Sequence, residues 1–291
     1  MRVVAVGDCG IDRYVDLGAD RPGGISLNFA ANALDCFEKG DRIGVLTALG
    51  SDREAGVVQR AIDGLGLEGA VARLPGVTPV QYIDHDAGGD RLFVRYDAGV
   101  LAAHRIGPAE RAVLAGADVT IATVFTKILD FFETVAAAPA GGLRALDYCN
   151  LGVAEDPLRY VRRFTRDFDV GFAGIDAGDG ALIDALEGIA RAEGRLIVAT
   201  LGPAGSVALG GRTRIHCPAV PVARVVDTTG AGDTFAAGFL SAYARGRDTA
   251  AALARGSQAA ARTLSQTGAF PAALVPWPAD APAAWAALRR G

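Results

Sequence analysis

The chain has 291 residues, 51% of them hydrophobic, and a formal net charge of −4. That length buries one large core, and the apolar content excludes a disordered polyelectrolyte. The mild acidity excludes a general field for nucleic acid or anionic membrane, so any phosphate has to be held by local donors.

Taken in order, Arg2 to Gly7 reads as a buried parallel strand. The following Asp8-Cys9-Gly10-Ile11-Asp12 puts carboxylates at its C-terminal edge, where open α/β sheets bind ligands. With no charged-then-apolar leader before this strand and no run near 18 apolar residues, the expectation is a soluble, cytoplasmic protein. Pro22-Gly23-Gly24-Ile25-Ser26-Leu27-Asn28 turns into a helix through about Phe37, either a plain turn with Ser26 as N-cap or a ligand contact. Arg42 to Gly50 is a second strand, and Asp52 caps a helix from about Arg53 to Leu65. Gly64-Leu65-Gly66-Leu67-Glu68-Gly69 matches GxGxxG, but it ends a helix instead of opening one, so a dinucleotide fingerprint is rejected.

Val80 to Asp84 and Arg91 to Tyr96 flank a turn at 86–90 and predict a β hairpin, an edge extension or a lid. Beyond it the pattern alternates: strands near 118–123, 144–148, 168–173 and 195–201, helices near 107–115, 128–138, 157–166 and 180–193. That is a mostly parallel sheet with helices on both faces. Thr200-Leu201-Gly202-Pro203-Ala204-Gly205-Ser206 leaves a strand and, as a bare pattern, is a hairpin turn. Cys9, Cys36, Cys149 and Cys217 lack metal-ligand spacing and read as reduced buried thiols, and His85, His104 and His216 read as structural. The only lysines are Lys39 and Lys127, and neither belongs to a GxxxxGK(S/T) loop, so a P-loop is excluded. The Pro- and Ala-rich tail from Phe270 predicts a short helix near Ala283 to Arg290.

The densest chemistry lies at Val225 to Phe235, where a β-branched run enters Asp227-Thr228-Thr229-Gly230-Ala231-Gly232-Asp233 and opens into a helix from Thr234 to Arg245. Backbone amides from about Gly230 to Gly232 would point at a bound anion, aided by the helix dipole. Asp233 stands at the mouth of that site, as a cap or as a base for a hydroxyl about to attack a phosphate. The combination favours the base.

The Asp227 to Asp233 run resembles the C-terminal signature of the ribokinase (PfkB-type) carbohydrate kinases, and the likeness extends from Gly7 to about Phe270. It implies an α/β, ribokinase-like, doubly wound fold, a single domain over 1–291 with a small β lid from about 12–22 and 79–97. It implies ATP-dependent phosphorylation of a sugar hydroxyl, with Asp233 as base and Gly230, Ala231 and Gly232 as the anion hole. Asp12, Gly23, Gly24, Asn28 and Tyr96 become acceptor contacts, and Thr200, Gly202, Gly205 and Ser257 nucleotide contacts. Asp227 and Thr229, with the Gly268 turn, match a monovalent-cation site, K+ in kind. Relatives carry Asn-x-x-Glu after the strand near 168–173 to organise Mg2+. Here that stretch has neither residue, and Asp176 and Asp179 stand as Mg2+ ligands or as turn and cap residues.

Within the family the segment before Pro22, the run Tyr96-Asp97-Ala98-Gly99-Val100 and Gly268-Ala269-Phe270 are similar to the fructoselysine 6-kinase-like subgroup, which acts on the 6-hydroxyl of a fructosamine. Arg91 and Arg95 would meet a substrate carboxylate or simply be solvated. A homodimer through the lid is also expected by resemblance. The missing Asn-x-x-Glu motivates one alternative, a non-catalytic sensor of sugar or nucleotide on a kinase fold.

Overall fold

The computed structural model describes residues 1–85, 91–211, 214–266 and 268–269; the expected hairpin turn at 86–90 and the tail helix at 283–290 lie outside them. The chain begins β1 (Arg2–Val6), β2 (Gly10–Tyr14), β3 (Ala19–Gly23), α1 (Ile25–Cys36), β4 (Arg42–Leu49), α2 (Arg53–Gly64) and β5 (Glu68–Arg73). It continues β6 (Val80–His85), β7 (Arg91–Asp97), α3 (Pro108–Ala115), β8 (Val119–Thr123), α4 (Leu129–Ala136) and β9 (Leu143–Asn150). The last part holds α5 (Arg159–Phe164), β10 (Val170–Gly174), α6 (Gly180–Glu193), β11 (Leu196–Thr200), β12 (Ser206–Leu209), β13 (Ile215–Cys217), α7 (Ala231–Gly246) and α8 (Thr249–Thr263).

Nine strands form one sheet in the order β13-β12-β11-β10-β9-β8-β1-β4-β5. The run from β11 to β5 is parallel throughout, and only β12 and β13 are antiparallel. Buried on both faces, β1 and β8 are continuous apolar or Thr runs, as parallel central strands require. One core joins α1, α2, α7 and α8 to the sheet through Phe29, Val58, Phe239 and Leu253. The other lies across the sheet, where α3 to α6 contribute Leu114, Phe131, Phe132, Val161 and Leu186. Helices therefore cover both faces. Among the described residues no helix is long and apolar enough to cross a membrane.

A second sheet of order β3-β2-β6-β7 stands apart from the first, with β2 parallel to β6 and antiparallel partners outside them. The sequence reading placed about 12–22 in the β lid by resemblance but gave its strands no bounds or pairing. The β2–β3 hairpin forms because β6, far along the chain, offers an edge to pair with. β5 was unassigned: Gly66, at φ +66, turns the end of α2 into a strand that exists only by pairing with β4. Ser26, expected to cap α1, lies inside its first turn, and Gly24 at φ +96 is the cap residue. α7 starts at Ala231, three residues earlier than expected, so the anion-turn glycine Gly230 is itself the N-cap.

Candidate active site

The C-terminal ends of β9, β10 and β11 open onto one cleft, and Asp8 follows the C-terminal end of β1 in the same sheet. Asp8 is buried, and its backbone carbonyl accepts the Ser26 amide at 3.2 Å, which ties the end of β1 to the start of α1. Asp12, buried, faces Arg21 across the β2–β3 ladder. The two glycines are sterically required. A Cβ on Gly23 would lie 2.2 Å from Asp12 Oδ2, and one on Gly24 would lie 2.6 Å from the Asp8 carbonyl oxygen.

Asn28, in the first turn of α1, is buried, and its side chain acts on the acidity of Asp233. Its backbone is fixed by Asn32, whose Nδ2 donates to the carbonyls of Asn28 and Ala269, both at 2.8 Å. Tyr96 packs edge-on against Phe125, with ring centroids 5.1 Å apart. Burial first, then the charge of Asp8, raises its phenol well above the usual range, so the hydroxyl stays protonated.

The glycine turn occupies the opposite wall. Gly230 takes φ +70, and its carbonyl accepts both the amide and the hydroxyl of Thr234 at 2.8 Å. The Ala231 amide bends back to the Thr228 carbonyl at 3.3 Å, so the amides of Gly232 and Asp233 are the ones left at the helix tip without an intrahelical acceptor. A Cβ on Gly232 would meet nothing within 4 Å: that side of the turn is open. Asp227 staples the turn: its Oδ1 accepts from the Thr229 amide (2.7 Å) and hydroxyl (2.8 Å), and its Oδ2 from the Gly268 amide (2.8 Å). A monovalent cation there would have to share oxygens that already accept hydrogen bonds.

Asp233 is half-buried at the tip of α7. Burial pushes its carboxyl well above the ordinary range, the charge of Asp147 adds to this, and the Asn28 side chain partly offsets it. Asp147, on β9, is itself pushed up to about 6 by burial while its Oδ1 accepts the Cys149 amide at 2.7 Å. Asp8 is likewise pushed up to about 6, mainly by burial. Between Asp147 and Asp233 lies a void of about 10 Å3, lined also by Ser26 and Thr123, the size of one water.

Two larger cavities meet at this point. One, of about 680 Å3, is bordered by Asp147, Cys149, Asp176, Phe93 and Asp233. The other, of about 520 Å3, is bordered by Gly205, Val220, Val222, Ser257, Ala260 and Leu264. Thr200, Gly202, Thr228 and Gly232 belong to both. The residues expected for nucleotide, Thr200, Gly202, Gly205 and Ser257, therefore gather around the second, apolar cavity. Of the two acids considered for Mg2+, Asp176 borders the first cavity with Oδ1 accepting the Gly178 amide at 2.7 Å, while Asp179 caps α6 through the Leu182 amide at 3.0 Å. Among the described residues no three His, Cys, Asp or Glu side chains form a metal cage. A divalent ion carried in on phosphates needs only one or two carboxylates, and Asp176 fits that role.

Arg95 is spent on Asp97 at 2.8 Å and on the Tyr82 ring at 4.1 Å, and the Arg91 side chain lies outside the described residues. Sequence reasoning missed Asp147, Cys149 and Phe93 and left Asp8 without a role. For Asp147 a signal existed, a carboxylate at the C-terminal end of a parallel strand. For the Val220 and Val222 wall there was none, because the segment is irregular.

A doubly wound sheet with a separate small sheet over its C-terminal edge, and a glycine turn aimed into the cleft, defines a sugar-kinase-like class. Solved structures share this fold. Ribokinase of Arabidopsis thaliana, solved with ribose and ATP, matches with a TM-score of 0.77 at 21% identity, covering 99% of this chain and 98% of its own. Adenosine kinase of Sinorhizobium meliloti matches at 0.75 and 22%, covering 93% and 95%. The family described as pfkB family carbohydrate kinase matches residues 177–274. Fructoselysine 6-kinase of Shigella flexneri is 32% identical over 271 residues, 92% of this chain and 99% of that protein. A fructosamine kinase of Bacillus subtilis is 29% identical over 282 residues, 93% of each. The chain belongs to the pfkB family of carbohydrate kinases.

Proposed function

We propose that the chain transfers the γ-phosphoryl group of ATP to the 6-hydroxyl of a fructosamine such as fructoselysine, with Asp233 as the base. The relatives of similar length named for fructoselysine and fructosamine support the substrate class. The observation that carries the mechanism is the position of Asp233, at the border of the cavity of about 680 Å3 and beside the open amides of α7.

Asp12, Asn28 and the Gly23–Gly24 backbone orient the sugar. Asp233 takes the proton of the attacking hydroxyl, and its raised affinity for protons makes it a better base than an exposed carboxylate. The Gly232 and Asp233 amides stabilise charge on the transferred phosphoryl group. Mg2+, when bound, neutralises the phosphates, and Asp176 is the carboxylate that would face it. K+ at the Asp227–Thr229 turn belongs to the same reading and predicts slower turnover when Na+ replaces it. β7 is an edge strand with exposed Leu92, Phe93 and Val94, so two copies would pair through their lids. A monomer mass by light scattering would remove that last element.

The direct test is ADP release with Mg2+-ATP against fructoselysine, fructose, ribose, nucleosides and glucosamine derivatives. Fructosamine turnover should lead the panel. Asp233→Asn should retain nucleotide binding by calorimetry and lose about 10²- to 10⁴-fold in kcat. Turnover near wild type in that variant would remove Asp233 as the base, and a lead for another sugar would replace the substrate.

A further inference from the structure

The acceptor end carries more negative charge than the proposed reaction uses. Asp233 is assigned as base and Asp12 as a hydroxyl ligand, which leaves Asp8 and Asp147 beside them. Extra carboxylates repel an incoming triphosphate, so their presence calls for a cation. Asp8 is the sharpest case. It is 5% exposed, and its Oδ1 has no hydrogen-bond partner among the described residues. The carboxamide oxygen of Asn28, also 5% exposed, is partnerless in the same way. Buried polar atoms left like this are costly unless a ligand completes them.

Asp8 lies beside residues that the proposed function gives to the sugar: it packs against Gly24, and its charge is felt by Tyr96, Cys149 and Asp233. The charge of Arg21, the buried guanidinium of the hairpin, acts with Tyr14, Asp12 and Asp227. A metal ion suits Asp8 poorly: it needs a set of oxygen ligands, and among the described residues no three acidic, His or Cys side chains form one. One N–H of a charged amine needs only the single free oxygen.

We infer that Asp8 is a specificity residue for a positively charged nitrogen on the acceptor, its free Oδ1 accepting an N–H from the secondary ammonium of a fructosamine. This rests on the fructosamine reading above. A fructosamine differs from its parent ketose at that one position, where an ammonium replaces a neutral hydroxyl. A charge-assisted hydrogen bond in a buried setting then separates the two by on the order of 10- to 100-fold in kcat/KM.

The test compares fructoselysine, its N-acylated neutral analogue and fructose, in wild type and in Asp8→Asn. The wild type should favour the amine over both neutral sugars, and the variant should lose on the order of 10- to 100-fold of that ratio. If Asp8 only anchors the start of α1, all acceptors fall together, the ratio stays put and the inference is overturned. Calorimetric binding of amine and N-acyl sugars to the wild type covers a variant that fails to fold, and equal affinities there also overturn it. Activity on another sugar with none on fructoselysine is a different failure, that of the proposed function itself, and it takes this inference with it.

Discussion

The two ends of the cleft are built on opposite plans. At the end that the proposed function gives to the acceptor, Asp8 after β1, Asn28 on α1, Tyr96 on β7, Asp147 on β9 and Asp233 on α7 are the polar groups, and atoms of Asp8, Asn28 and Tyr96 are buried and unfinished. At the nucleotide end, Val220, Val222, Phe235, Ala260 and Leu264 make an apolar wall with Ser257 and Thr200 as its few polar groups. The physical consequence is unequal selectivity. A site that must hydrogen-bond its ligand rejects an analogue lacking the group by several powers of ten, whereas an apolar slot discriminates by little more than size. Under the proposed function, the acceptor end sets what is phosphorylated, and the nucleotide end supplies affinity with latitude.

The largest expected effect that would break this division is Gly23→Ala. Its Cβ would sit 2.2 Å from Asp12 Oδ2, so the carboxylate has to move. A displacement of this size costs on the order of 100-fold in kcat/KM for the acceptor, while nucleotide affinity stays within about twofold. An equal loss of nucleotide affinity would mean that the two ends are not independent.

Acidity sharpens the comparison next. As the proposed base, Asp233 would act only when deprotonated, and its raised pKa then places the acid limb of kcat/KM above the ordinary carboxylate range. Asp147→Asn removes the charge that ranks after burial among the causes, so the limb should move to lower pH with nucleotide binding untouched. An unmoved limb would mean the two acids do not communicate. The same groups affect folding. A carboxyl raised from 3.8 to about 6, as in Asp8 and Asp147, stabilises the fold below its unfolded value, and that stability is lost as pH rises through about 6. The ligand-free protein should thus melt at a higher temperature near pH 5 than near pH 7.5 as far as these groups govern it, and Asp147→Asn should narrow the gap.

The smallest effect is expected at the apolar end. Ser257 makes only a 3.7 Å contact with Cys217 Sγ, so Ser257→Ala should weaken ATP binding by less than about fivefold and leave acceptor preference unchanged. A shift in acceptor preference would show that the nucleotide wall also reads the sugar.

Much was legible because it is local. The β-branched run, the glycine turn and the helix around Asp233 follow from neighbouring residues, as do the strand before Asp8 and the Gly23–Gly24 turn. What the sequence by itself determined is the alternating α/β order and the kinase signature, since periodicity and turn chemistry act over a few residues. Only the tertiary structure decided that β2 and β5 are strands, because each exists by pairing with a distant edge. It also decided that Asp147 and Asp233, far apart in the chain, border one cavity, and that the charges of Asp8 and Asp147 act on Asp233. Desolvation and charge repulsion are sums over everything nearby in space. No window of the chain contains them.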